Sequence, residues 1–157
     1  SVGDYDLVRK VLSEDGLELN FWRIAMRPGK PLIFGRIGET PMMGMPGNPV
    51  SSLVCGLVYL RPAIRAMLGL NPHATNQMAI LGCDLGENDQ RQDYLRATAS
   101  KNGNGDWVAT PFEKQDSSML FRLTQADCLI LRAPHAEPAH AGDRVEIIPL
   151  DGETTGI

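Results

Sequence analysis

Cysteine is scarce and scattered in this sequence: Cys55, Cys83 and Cys128 stand far apart and form no C-x-x-C pair. That spacing argues against a zinc site and against a disulfide framework, so the thiols are read as reduced and the chain as cytoplasmic. His73, His135 and His140 sit beside Pro or Ala with no i, i+4 pair, so they are read as solvated loop residues. A basic excess is missing as well. The net charge is -4 and the pI near 5.3, which is not the balance of a nucleic-acid binder. The longest apolar run without a charge, 42–60, is broken by Pro46, Gly47, Asn48 and Pro49, and the remainder reads as too short to span a bilayer. No signal-peptide pattern opens the chain, and no Ser/His/Asp arrangement, P-loop or G-x-G-x-x-G occurs.

What is there is the composition of a folded protein, 43% hydrophobic and 22% charged over 157 residues, enough for one domain or two small ones. The chain starts at Ser1, which reads as a processed product or a piece of something longer. Leu7, Val8, Val11 and Leu12 make one helical face over 5–14, with Asp4 as N-cap and Gly16 as the stop. Residues 17–26 alternate as a strand into the Arg27-Pro28-Gly29-Lys30-Pro31 turn, and 32–36 and 42–45 follow as short apolar strands. From Val50 the period becomes helical, with Asn48 as N-cap, Pro49 at the first helical position, a kink or split at Pro62, and an end at Gly69-Leu70-Asn71-Pro72. Helix, three strands and a long helix make an α/β layer that lacks its beginning.

Beyond His73 the character changes. Short strand-like runs at 78–83, 94–100, 107–110, 128–132 and 145–150 are separated by turn clusters such as Asn102-Gly103-Asn104-Gly105-Asp106 and Ala141-Gly142-Asp143. This spacing predicts a small antiparallel sheet or barrel, one short helix over 118–125, and a domain boundary near residue 74, dividing 1–73 from 74–157.

Three places could carry chemistry. At Pro46-Gly47-Asn48-Pro49-Val50-Ser51-Ser52 a strand gives way to a helix, whose first N–H groups and dipole favour an anion such as phosphate or molybdate; the same residues could simply start a helix. Arg27 and Lys30 lie three residues apart on a proline-flanked turn with Gly29 between them, an arrangement that suits a phosphate or a solvated surface. Asp4 and Asp6 could hold Mg²⁺ with substrate oxygens, or cap the first helix. In the second part Arg91, Arg96, Arg122 and Arg132 are read as solvated faces, and Met42, Met43 and Met45 as core or pocket filler.

Taken together, Ser1-Val2-Gly3-Asp4-Tyr5-Asp6, then 20–31 from Asn20 to Pro31, then Met45-Pro46-Gly47-Asn48-Pro49-Val50-Ser51 resemble the molybdopterin molybdenumtransferases, the molybdenum insertases that include bacterial MoeA and the gephyrin E domain. Tyr94-Leu95-Arg96-Ala97, Pro111, Gln115, 117–120 and Ala141-Gly142-Asp143-Arg144-Val145-Glu146 are similar to that family's C-terminal β domain. The resemblance implies the latter half of a molybdopterin-binding α/β domain followed by a small all-β domain. It also implies a transferase that places molybdate on molybdopterin, supplied in adenylylated form, with Mg²⁺ or a similar divalent ion. Carried over by position, Asp6 and Lys30 are the implied catalytic residues, and Asp4 and Asp6 the implied metal ligands. Arg27, Gly29, Lys30, Pro46, Gly47, Asn48, Pro49 and Ser51 are the implied substrate contacts. The resemblance further implies a homodimer in the full-length protein. The family's N-terminal domains and the opening strands of its α/β domain have no counterpart here, so this chain alone is expected not to complete the reaction. A non-catalytic scaffold module of gephyrin type is the alternative. An adenylylating relative fits less well, because those proteins end with their α/β domain.

Overall fold

The structure, a computed structural model, describes residues 16–72, 76–116 and 120–150. The helix expected over 5–14, with Asp4 and Asp6 at its start, lies outside the described residues, as does His73.

Two sheets are formed. The first is three-stranded, β1 (Leu17–Phe21), β3 (Ile33–Ile37) and β4 (Thr40–Gly44), with β3 central and all pairings antiparallel. Gly38, at φ +56°, opens the two-residue loop between β3 and β4, a position that an L side chain rarely adopts. Pro41 is tolerated in β4 because that strand is an edge. The second sheet closes on itself. Strands β5 (Gln77–Leu81), β6 (Gln92–Lys101), β7 (Trp107–Pro111), β8 (Cys128–Arg132) and β9 (Arg144–Pro149) run in the order β6-β7-β5-β9-β8 and return to β6, giving a five-stranded barrel. All its pairings are antiparallel except β5 with β7.

The expected single strand over 17–26 is two. The chain leaves the first sheet after Phe21, bends, and adds β2 (Met26–Arg27) in parallel to β6 of the barrel, Met26 opposite Gln92 and Arg27 opposite Asp93. Alternation continues across such a bend, so a period-two pattern cannot reveal that a strand has changed sheets.

Between β4 and β5 runs a helical stretch of 19 residues, Pro49–Met67. It divides into α1 (Pro49–Cys55), a π-helical segment (Gly56–Leu60) and α2 (Arg61–Met67). The Asn48 side chain caps it, accepting the Ser51 N–H at 3.0 Å. The widened segment precedes Pro62, whose ring crowds the carbonyl four residues back and cannot donate to it, and the Arg61 N–H reaches the Gly56 carbonyl five residues back. Pro62 therefore widens the helix where the sequence suggested a kink. By length and composition the stretch is enough to cross a membrane, contrary to the sequence estimate, because the helix runs past the charge of Arg61, where the apolar run stops, as far as Met67. Its Val50, Val54 and Cys55 are fully buried in the protein's own core. A short α3 (Leu120–Thr124) stands within the range expected for the last helix.

Two apolar clusters hold the molecule. The barrel interior is filled largely by small and branched side chains, Ala79, Ala97, Ala109, Cys128, Ile130 and Ile147 among them. The alternate residues Tyr94, Leu129 and Ile148 face outward, where they meet Met26, Leu32, Val54 and Cys55. Strand β8 is thus apolar on both faces, since one lines the barrel and the other covers the helical layer. The two halves of the chain share this second core. Met26, 1% exposed, is a central member. Met26→Ala should cost about 3 kcal/mol. In urea titrations of Trp22→Phe and Trp107→Phe variants, each leaving one tryptophan as reporter, Met26→Ala should move both transitions together; a shift confined to Trp22 would show that the halves unfold independently.

Candidate anion-binding site

Antiparallel pairing of Ile33 with Gly44 brings the segment before β3 and the segment after β4 to one end of the hairpin. The Arg27-Pro28-Gly29-Lys30-Pro31 turn and the Pro46-Gly47-Asn48-Pro49 turn therefore leave the same end of the sheet, and α1 runs on from the second beneath the first. Gly29 is buried at φ +120°, and a Cβ there would lie 2.6 Å from the Cys55 Sγ and 3.1 Å from the end of Met26. Only glycine fits both that backbone conformation and that approach. The Cys55 thiol lies 3.8 Å from the Gly29 carbonyl, and burial pushes its pKa up to about 11, so it stays protonated in this contact. Burial likewise pushes the Tyr94 hydroxyl, bonded to Tyr59 across the same core, up to about 12.

Arg27, with 46% of its side chain exposed, is held by two carboxylates. It donates from Nη1 to Asp89 Oδ2 at 3.2 Å and from Nη2 to Asp93 Oδ2. Asp93 has only 4% of its side chain exposed, and its Oδ1 is buried with no hydrogen-bond partner among the described residues. Arg27 is thus the one cation recorded on that carboxylate among the described residues. Asp89 also accepts from Arg91 Nη2 at 2.6 Å and from the Arg91 N–H at 2.9 Å. The Gln92 N–H donates to the Ala25 carbonyl at 2.9 Å, joining the backbone on the same side. Asp89 and Asp93 were not singled out in the sequence. A signal was present for Asp93: period two places it on the face of β6 that carries Ala97 into the barrel, and a carboxylate there requires a partner.

Lys30 is exposed, and no carboxylate pairs with it among the described residues. Its carbonyl accepts the Ile24 N–H at 3.0 Å, which fixes the turn's far limb. In the second turn Pro46 is buried, Gly47 and Pro49 are exposed, and Asn48 is half-buried. Ser51 is 7% exposed with its N–H given to Asn48, and the Ser52 N–H goes to the Asn48 carbonyl at 2.8 Å, so part of the helix start is already satisfied. Asp4 and Asp6, the expected Mg²⁺ ligands, lie outside the described residues; within these, no group of three or more His, Cys, Asp or Glu could hold a metal ion.

Two arginines read as solvated, Arg96 and Arg132, are buried. Arg96 is 1% exposed and donates to Gln115 Oε1 and, at 3.0 Å, to the Asp116 carbonyl. Arg132 is 8% exposed and donates to the carbonyls of Gly86 and Glu137. Arg91 is half-buried on Asp89. Loops fold over the Arg96 and Arg132 guanidinium groups and offer carbonyl oxygens, a satisfaction that spacing along a strand cannot show. The Arg122 side chain lies outside the described residues.

Family profiles match both halves of the chain: a probable molybdopterin binding domain over residues 1–66, and the MoeA C-terminal region (domain IV) over residues 78–150. The chain belongs to the molybdopterin molybdenumtransferase family. A molybdopterin molybdenumtransferase of Haemophilus influenzae is 31% identical over 156 residues, which are 96% of this chain and 38% of that protein. The molybdenum cofactor synthesis protein cinnamon of Drosophila melanogaster is 31% identical over 147 residues, 92% of this chain and 23% of that protein. Among solved structures, a molybdopterin biosynthesis MoeA protein of Pyrococcus horikoshii matches with a TM-score of 0.74 at 27% identity, over 94% of this chain and 35% of that one. The chain thus spans between 23% and 38% of these relatives' length. Its architecture, strands and a helix followed by a small closed barrel, is theirs.

The Arg91 hydrogen bonds, then the Arg27 charge, hold the Asp89 carboxyl at about 2, below its ordinary 3.8. A depressed carboxylate stabilises the fold above its unfolded value of about 4 and loses that contribution as pH falls through the folded value. Arg91→Ala should therefore move the Asp89 carboxyl resonance, followed by carbon-13 NMR, back toward the ordinary range; an unmoved titration would show that Arg91 does not hold it.

Proposed function

We propose that this chain corresponds to the C-terminal part of a molybdenum insertase, and that the end of the β3–β4 hairpin is the anion side of its molybdopterin and molybdate site. Family membership supports a role in molybdenum-cofactor biosynthesis with molybdopterin as the bound partner. The observation that carries the finer reading is the pairing of Arg27 with two carboxylates beside a Lys30 that keeps its charge exposed. Arg27 thereby changes role. In this reading it holds the turn, and Lys30 is the cation that meets the phosphate of molybdopterin or an incoming molybdate.

An ammonium is a compact point charge with three donors on a flexible stem, and it can follow an anion whose charge shifts between oxygens during transfer. Gly47, exposed in the neighbouring turn at the helix start, allows the same anion to approach backbone from the other side. A divalent cation bound through Asp4 and Asp6 would neutralise further phosphate charge. Lys30 and the two turns would do the binding and orientation.

Replacing Lys30 by Ala removes a charge-assisted contact and should weaken molybdopterin binding by about tenfold, with Lys30→Arg keeping most of the affinity. Titration of each variant with molybdopterin, followed by fluorescence quenching, measures this. Equal affinity of Lys30→Ala and the unmodified chain would remove Lys30 from the site.

A further inference from the structure

We infer that Asp93 and Asp89, in the barrel half, are positioning residues for substrate binding in the other half: they hold Arg27 so that Lys30 alone presents its charge to the anion. The inference rests on the reading of Lys30 given above and adds to it two residues from the other side of the domain junction.

Consider what fixes Lys30. Its turn is three residues from Arg27, and both intervening residues are constrained: Pro28 has a locked φ, and Gly29 is wedged against Cys55 and Met26. The far limb is tied through the Lys30 carbonyl to the Ile24 N–H. The near limb is tied by β2, only two residues long, and by the Arg27 side chain. With so little ladder, the side-chain clamp on Asp93 and Asp89 carries much of the definition of that limb.

Charge supports the same assignment. Asp93 is buried with one oxygen on Arg27 and the other without a partner among the described residues, so the half-exposed Arg27 guanidinium is the group that compensates its charge. Asp89 is shared between Arg27 and Arg91. Two guanidinium groups and two carboxylates make a neutral network. Arg27 is therefore withheld from an incoming anion, and Lys30 is the cation of the turn left available to it. If Asp93 were neutral, Arg27 would be released, and the turn would lose both its anchor and the distinction between its two cations.

The test is a double-mutant cycle on the full chain, with molybdopterin as the titrant and far-UV circular dichroism and melting temperature as checks on the fold. Asp93→Asn should weaken molybdopterin binding by about tenfold, and Asp93→Glu should restore most of it. Asp89→Asn, at an exposed carboxylate that leaves the core intact, should weaken it by about threefold even where Asp93→Asn proves too unstable to measure. In a Lys30→Ala background either substitution should add less than about twofold, because the aspartates act through Lys30; a merely structural role would weaken binding equally in both backgrounds. If Lys30→Ala lowers affinity while Asp93→Asn and Asp89→Asn leave it unchanged or raise it, the positioning role is overturned and the reading of Lys30 stands. If Lys30→Ala has no effect, or the unmodified chain does not bind molybdopterin, both fall.

Discussion

A carboxylate buried in the mouth of a barrel is the constraint around which this molecule is arranged. Asp93 sits on the inward face of β6 with 4% of its side chain exposed, and an ionised group in that place is tolerated only against a cation. The cation is Arg27, more than sixty residues away in sequence and on the other side of the domain junction. To deliver it, the chain abandons the first sheet after Phe21, bends, and lays Met26 and Arg27 alongside Gln92 and Asp93. The same pair of residues supplies opposite needs of the junction. Met26 goes into the shared apolar core and Arg27 to the buried charge.

The basic turn inherits its shape from this junction. Below it, Gly29 lies on Cys55; at its start, Arg27 is held by the barrel; at its end, the Lys30 carbonyl is bonded to Ile24. The hairpin register then sets the Pro46-Gly47-Asn48-Pro49 turn beside it. Two segments that are unremarkable as local sequence become one end of one sheet, where Arg27 is paired with carboxylates and the exposed Lys30 has none among the described residues. The barrel thus fixes the start of a neighbouring turn through Asp89 and Asp93. A preorganised site of this kind needs its supporting residues as much as its contacts.

Much of this was legible in the residues. Short strand-like runs between turn clusters located all five barrel strands, and Asn48, Pro49 and Gly69 marked the ends of the helix, because these signals depend on a residue's own backbone preferences and local hydrogen bonds. The change of sheets at Trp22 to Ala25 was hidden, since alternation persists across a bend. The effect of Pro62 was half legible: a disturbance was expected, but whether a helix kinks or widens depends on what packs around it. Arg96 and Arg132, read as solvated, were misread for a related reason, and the partners of Arg27 were hidden in the same way. Arg27, Arg96 and Arg132 have their partners in distant loops and strands, and pairing at that separation has no local signature. Family resemblance, carried by Arg27, Lys30 and Pro46 to Ser51 jointly, implied a substrate contact for both cations and a catalytic role for Lys30, and it carried no sign that Arg27 pairs with Asp89 and Asp93.

The most direct measurement is a high-resolution crystal structure of the chain with molybdate. The account predicts the Lys30 ammonium within hydrogen-bond distance of the bound oxyanion, with the Arg27 guanidinium still on Asp93 and Asp89. An Arg27 swung away from both aspartates and onto the anion, or an oxyanion bound elsewhere with Lys30 pointing into solvent, would contradict it.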